Sequence, residues 1–183
     1  SLVGSEMCIR DSLYIYIIRG TPMLVQILII YFGLGQMLRP TGFRWLNIGG
    51  TFTAGTVALS LNAGAYMAEI VRGGIEAVDK GQVEAARSLG LTYGKTMKKI
   101  VLPQALRTML PSIINQFIIS IKDTSLLSVI GLTELTNVGK TIAATQSAHM
   151  MVIYCFMACY YLFICTVLAQ VSKVVEKRLS YGK

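Results

Sequence analysis

The chain has 183 residues, 54% of them hydrophobic and 14% charged, with a mean hydropathy of +0.59. Soluble domains carry about 25% charge, so this composition excludes a disordered chain and argues against a soluble globular fold. The 17 Lys and Arg outnumber the 9 Asp and Glu to leave +8, a balance that suits nucleic acid or anionic lipid; the placement of the charges decides between them.

Residues 1–12 read as a non-native leader. Glu6-Met7-Cys8-Ile9-Arg10-Asp11-Ser12 resembles the translated mosaic-end tag of transposase-based sequencing libraries. It lacks the basic start and small-residue cleavage site of a signal peptide. Native sequence is then expected from Leu13, with upstream residues missing, and residues 13–183 are expected to form one membrane domain.

The gaps between charges locate the spans. Arg19 to Arg39 encloses 19 uncharged residues, Arg44 to Glu69 encloses 24, and Lys140 to Lys173 encloses 32. About 20 apolar residues at 1.5 Å rise cross a hydrocarbon core of about 30 Å. Between Arg107 and Lys122 there are only 14, followed by Lys122-Asp123 and 10 more to Glu134. Beside three clear spans this segment reads as a fourth, with an ion pair inside it. The fold class is therefore all-α and polytopic, with about four transmembrane helices, near 20–38, 51–71, 108–130 and 149–172. Arg39-Pro40-Thr41-Gly42 and Gly49-Gly50 punctuate the first connection.

Positive charge orients the set. The stretch 72–107 holds seven Lys and Arg; with Arg19 and the tail, one side carries 12 and the other 3. The positive-inside rule places 72–107 and the C-terminus in the cytoplasm.

Within that loop, Asp79 and Gln82 have the spacing of a capping box, and Gly90 suits a left-handed helix stop. Glu84 can reach Arg87 or Ser88 one turn on. Thr92 can cap a second helix that Pro103 obstructs. The expected form is two short helices with a tight elbow below the membrane. Gly90-Leu91-Thr92-Tyr93-Gly94-Lys95-Thr96 falls one residue short of a phosphate loop. Ala86 to Thr92 has the look of a helix-turn-helix elbow, but 36 residues tethered at both ends leave little chain for a supporting core. A solvated basic loop would explain the lysines but not the capped elbow.

Glu84-Ala85-Ala86, then Gly90, then Ile100-Val101-Leu102-Pro103 resembles the coupling loop of ATP-binding cassette (ABC) importer permeases. Arg19-Gly20-Thr21-Pro22-Met23-Leu24-Val25-Gln26, Tyr31-Phe32-Gly33 and Ala65 to Ile75 are similar to the polar amino acid group, the histidine/glutamine permeases. So are Leu102 to Arg107, Lys122-Asp123-Thr124-Ser125-Leu126 and Ser128 to Gly131. The family has one more span before the Arg-Gly-Thr-Pro block, where this chain has its leader. The resemblance implies a type I importer permease fold in a bacterial plasma membrane. It further implies a second permease subunit, ATP-binding subunits carrying ATP-Mg, and an extracytoplasmic solute-binding protein. The solute is expected to be a polar amino acid; another small polar solute, or more distantly a membrane-tethered DNA-binding regulator, are the alternatives.

The residues agree with that division of labour. There is no phosphate loop, acidic metal cluster or nucleophile–base pair, so no cofactor and no catalysis are expected in this chain. Cys155, Cys159 and Cys165 read as packing residues, and His149 as an interfacial one. Glu84, Ala85, Ala86, Gly90, Ile100, Leu102 and Pro103 are the expected contacts to the ATPase. Asn62, Gln116, Lys122, Asp123, Thr124 and Ser125 are candidates for a polar path, since polar groups inside a membrane face protein or water. Helix packing and substrate contact remain open alternatives for Asn62, as do a mutual ion pair and a path-lining role for Lys122-Asp123.

Overall fold

The structure, a computed structural model, describes residues 13–180. Residues 1–12, expected to be a non-native leader, lie outside the described residues. All regular structure within them is helical. In chain order it comprises α1 (Leu13–Gly20), α2 (Met23–Met37), α3 (Gly50–Glu76), α4 (Lys80–Ser88), α5 (Tyr93–Ile130), α6 (Leu135–Thr145) and α7 (Met150–Ser180). Short 3-10 turns at Arg39–Thr41, Trp45–Ile48 and Ser147–His149 fill the connections.

Four helical segments stand where the charge gaps put them, but their composition differs. α5 and α7 are long and apolar enough to cross a membrane, and α1 with α2 qualifies as one broken span. α3 has the length, at 27 residues, but not the hydropathy. Its sequence explains why. Ala54, Ala58, Asn62 and Ala65 are buried along one face, where small side chains let neighbouring helices approach closely. A helix walled by protein needs small residues more than greasy ones. Gly55 sits under Leu127 and Gly74 under Met109, each too close to admit a Cβ without movement. α7 is the opposite case: Phe156 (72% exposed), Leu162 (67%) and Phe163 (68%) point away from the protein, as lipid-facing groups do.

Three features depart from the sequence expectation. First, Pro103 does not end the second loop helix. The turn Met97–Val101 widens to π geometry, and the Leu102 N–H bonds back to the Met97 carbonyl. The wider turn accommodates the proline ring and its missing donor, so α5 runs unbroken from Tyr93 to Ile130. Second, the last seven residues of α5, Thr124–Ile130, tighten to 3-10 geometry. Third, α6 occupies the second half of what reads as an outer connection. Glu134 caps it by accepting from the N–H groups of Thr136 and Asn137, both at 2.7 Å.

Two apolar clusters hold the bundle. Ile27, Ala58, Leu127 and Ile130 join α2, α3 and the end of α5. Val78, Val101, Ala105 and Met109, with Val83 and Met97 against them, fasten the elbow to the base of α3 and α5.

Candidate functional site

The elbow is built as its sequence dictates. Asp79 caps α4 by accepting from the Gly81 N–H at 2.7 Å. The reciprocal half of the capping box is not made: Gln82 instead accepts from the Gln104 amide at 2.6 Å, which ties α4 to α5. Gly90 has φ +83°. The Leu91 N–H bonds to the Ala86 carbonyl and the Gly90 N–H to that of Arg87, the paired closure of a Schellman motif. Thr92 caps with its backbone only, through the Thr96 N–H.

The expected ATPase contacts divide by exposure. Ala86 is buried and anchors the elbow, while Glu84, Ala85 and Gly90 are exposed at its tip. Ile100 is half-buried, and Leu102 and Pro103 are exposed on the adjoining face of α5. Glu84 forms no salt bridge with Arg87; Glu69 of α3 pairs with Arg19 and Arg72. Leu89, which sequence reasoning passed over, is 85% exposed beside Gly90. An apolar side chain left bare on a capped, rigid elbow is the signal that would have found it.

The path candidates separate more sharply. Asn62 donates to the Gln26 side-chain oxygen at 2.9 Å, in a buried contact. The Gln26 amide in turn donates to the carbonyls of Ile18 (2.7 Å) and Thr21 (3.0 Å) and to the Thr21 hydroxyl (2.9 Å). These bonds stitch the 106° break between α1 and α2 to α3. Gln26 thus supplies partners to backbone groups that Gly20-Thr21-Pro22 strands where the helix breaks. That favours the packing role for Asn62.

Lys122 and Asp123, for which an ion pair and a path-lining role stood open, make no direct salt bridge with each other. They are neighbours in sequence where α5 passes from α to 3-10 geometry, and adjacent side chains on a helix diverge by about 100°. The Thr124 hydroxyl bonds to the Ile121 carbonyl at 2.6 Å and that of Ser125 to the Lys122 carbonyl at 2.7 Å, satisfying carbonyls where α5 changes from α to 3-10 geometry.

Gln116 stands apart. It is a buried amide side chain (4% exposed) on the membrane-embedded part of α5. It lines a cavity of about 560 Å³ between α3, α5 and α7 with Ser112, Asn115, Ser172 and Lys173. A cavity of this size with amide, hydroxyl and ammonium groups converging on it can hold a small polar solute.

The sequence matches the family described as binding-protein-dependent transport system inner membrane component across residues 12–181. The chain belongs to this family. It is 45% identical over 166 residues to the glutamine transport system permease protein of Escherichia coli (strain K12), covering 91% of this chain and 73% of that one. It is 42% identical over 168 residues to the L-cystine transport system permease protein of Bacillus subtilis (strain 168), covering 92% and 68%. A solved amino acid ABC transporter superposes with a TM-score of 0.81 at 40% identity, covering 91% of this chain and 74% of that one. The MetNI methionine transporter in inward-facing form shares the fold alone, with a TM-score of 0.70 at 16% identity over 95% of this chain and 78% of that one. Like its family, the chain is a transport component of the inner membrane rather than an enzyme.

Proposed function

We propose that this chain is the permease subunit of an ABC importer that carries a polar amino acid handed over by an extracytoplasmic binding protein. The observation that supports it most is the 45% identity to a glutamine permease together with a Schellman-closed elbow carrying Glu84, Ala85 and Gly90 exposed. A second permease subunit completes the path, because the described helices are too few to enclose one. ATP-Mg is bound and hydrolysed by separate subunits that seat the elbow. Binding of ATP selects one arrangement of the bundle, and hydrolysis releases it. Residues 13–183 form the transmembrane domain, and 72–107 forms the cytoplasmic coupling loop.

The cavity under Gln116 lies on the solute path, with the amide meeting polar groups that the solute brings. Gln116→Leu should lower uptake by about tenfold, the weight of one buried hydrogen bond of about 1–2 kcal/mol, with assembly unchanged. Uptake by purified complex in liposomes measures this. Wild-type transport in the leucine variant would remove the cavity from the path.

The orientation is tested by single cysteines in a cysteine-free background. Thr41→Cys should react with an impermeant thiol reagent in intact cells, and Lys95→Cys only after lysis. The reverse pattern would invert the topology.

A further inference from the structure

Beside the break at Gly20 lies a second cavity, of about 450 Å³, separate from the one under Gln116. Ile15, Tyr16 and Arg19 of α1 line one wall, and Tyr66, Glu69 and Arg72 of α3 the other. Glu69 is shared by two guanidinium groups, that of Arg19 at 3.0 Å and that of Arg72 at 3.7 Å. The group therefore carries one net positive charge. Both arginines are nearly half exposed, at 44% and 47%, and each has more donors than one shared carboxylate can use. Arg19 also stacks over Tyr66, 5.5 Å from the ring centre, which fixes its fork in place.

The depth of this group matters. Glu69 is 19 residues into α3, about 29 Å from its start. That is the thickness of the hydrocarbon core, so the arginines sit at the elbow-side boundary of the membrane. α1 is turned 106° from α2 and packs along α3, from Tyr14, whose hydroxyl bonds to the Leu61 carbonyl, to Arg19 at Glu69. Ile15 is buried, but three other side chains of α1 are apolar or amphipathic and outward: Leu13, Tyr16 and Ile17 are all half exposed or more. A cationic cavity at the boundary, bordered by bare apolar and tyrosine side chains, matches a molecule with an anionic head and hydrocarbon tails.

We propose that the Arg19–Glu69–Arg72 cavity binds the phosphate of an anionic phospholipid, whose acyl chains run beside Tyr16 and Ile17. Phosphate oxygens accept from the free edges of both guanidinium groups, and the lipid seals the break between α1 and α2 from the bilayer side. This site is independent of which amino acid is carried and of which side of the membrane the elbow faces.

The test is native mass spectrometry of the assembled complex offered equal amounts of phosphatidylglycerol and phosphatidylcholine. One net positive charge at the boundary predicts a preference of about fivefold for the anionic lipid. Arg72→Gln should abolish that preference. Arg72→Lys, which keeps the charge and loses the planar fork, should retain part of it, and Lys95→Gln on the exposed elbow should leave it unchanged. Equal retention of the two lipids by the wild type would overturn the proposal without reference to any variant. So would an unchanged preference in Arg72→Gln, or a loss of equal size in Lys95→Gln, which would mark a diffuse field. Displacement of the lipid by excess inorganic phosphate would reassign the cavity to a soluble anion and overturn the lipid source.

Discussion

Gly90→Val is expected to abolish ATP-driven uptake while leaving the protein in the membrane at normal abundance. Gly90 holds φ +83° to close the Schellman turn, a conformation that costs a β-branched residue about 1–3 kcal/mol. Nothing lies within 4 Å of a Cβ added at this position, so the damage comes from backbone direction rather than from a clash at that atom. The chain relieves the strain by re-aiming α4, and a re-aimed α4 no longer fits its socket on the ATPase. Glu84→Lys approaches the same contact without backbone strain. Glu84 is exposed, lies in the second turn of α4 beyond the reach of the capping position, and has no ion pair to lose. Its replacement should leave the melting temperature unchanged and still reduce uptake. Both are read as uptake and ATPase activity of purified complex in liposomes. Normal uptake with normal stimulated hydrolysis in both variants would sink the coupling assignment.

Gln26→Leu should cost about 2–3 kcal/mol of stability and most of the assembled complex. The substitution strands the amide of Asn62 in a buried site and the carbonyls of Ile18 and Thr21 in a half-buried one. Each such group costs about 1–3 kcal/mol, moderated where the unfolded chain in the membrane finds other partners. Pairing it with Asn62→Leu should recover part of the loss, since removing both partners is cheaper than orphaning one. Thermal unfolding and the yield of complex measure the cycle. Strictly additive losses would show that the amide pair is not a unit.

These residues also mark how far the sequence could be read. Charge gaps found the long helices because a bilayer punishes charge wherever the chain crosses it. The elbow was legible because Asp79 and Gly90 act locally, within a few residues of themselves. Pro103 misled for the complementary reason: its effect depends on the width of the preceding turn, which the sequence does not announce. Lys122-Asp123 looked like an ion pair in one dimension, but the helix separates their directions. Gln26 was visible within a family block, yet its work is done across 36 residues, on Asn62. α6 was hidden because Glu134 and Lys140 break the apolar run, so the segment resembled a connection; the Glu134 cap was the available sign.

The unbroken course of α5 past Pro103 has a mechanical consequence. A rod of 38 residues measures about 57 Å at 1.5 Å per residue, and it begins at the elbow. Pivoting by only about 5° about one end carries the other through about 5 Å, nearly one helical turn. The π turn that spares the proline therefore preserves a long lever arm, in which a modest tilt imposed at Tyr93 arrives amplified at Ile130.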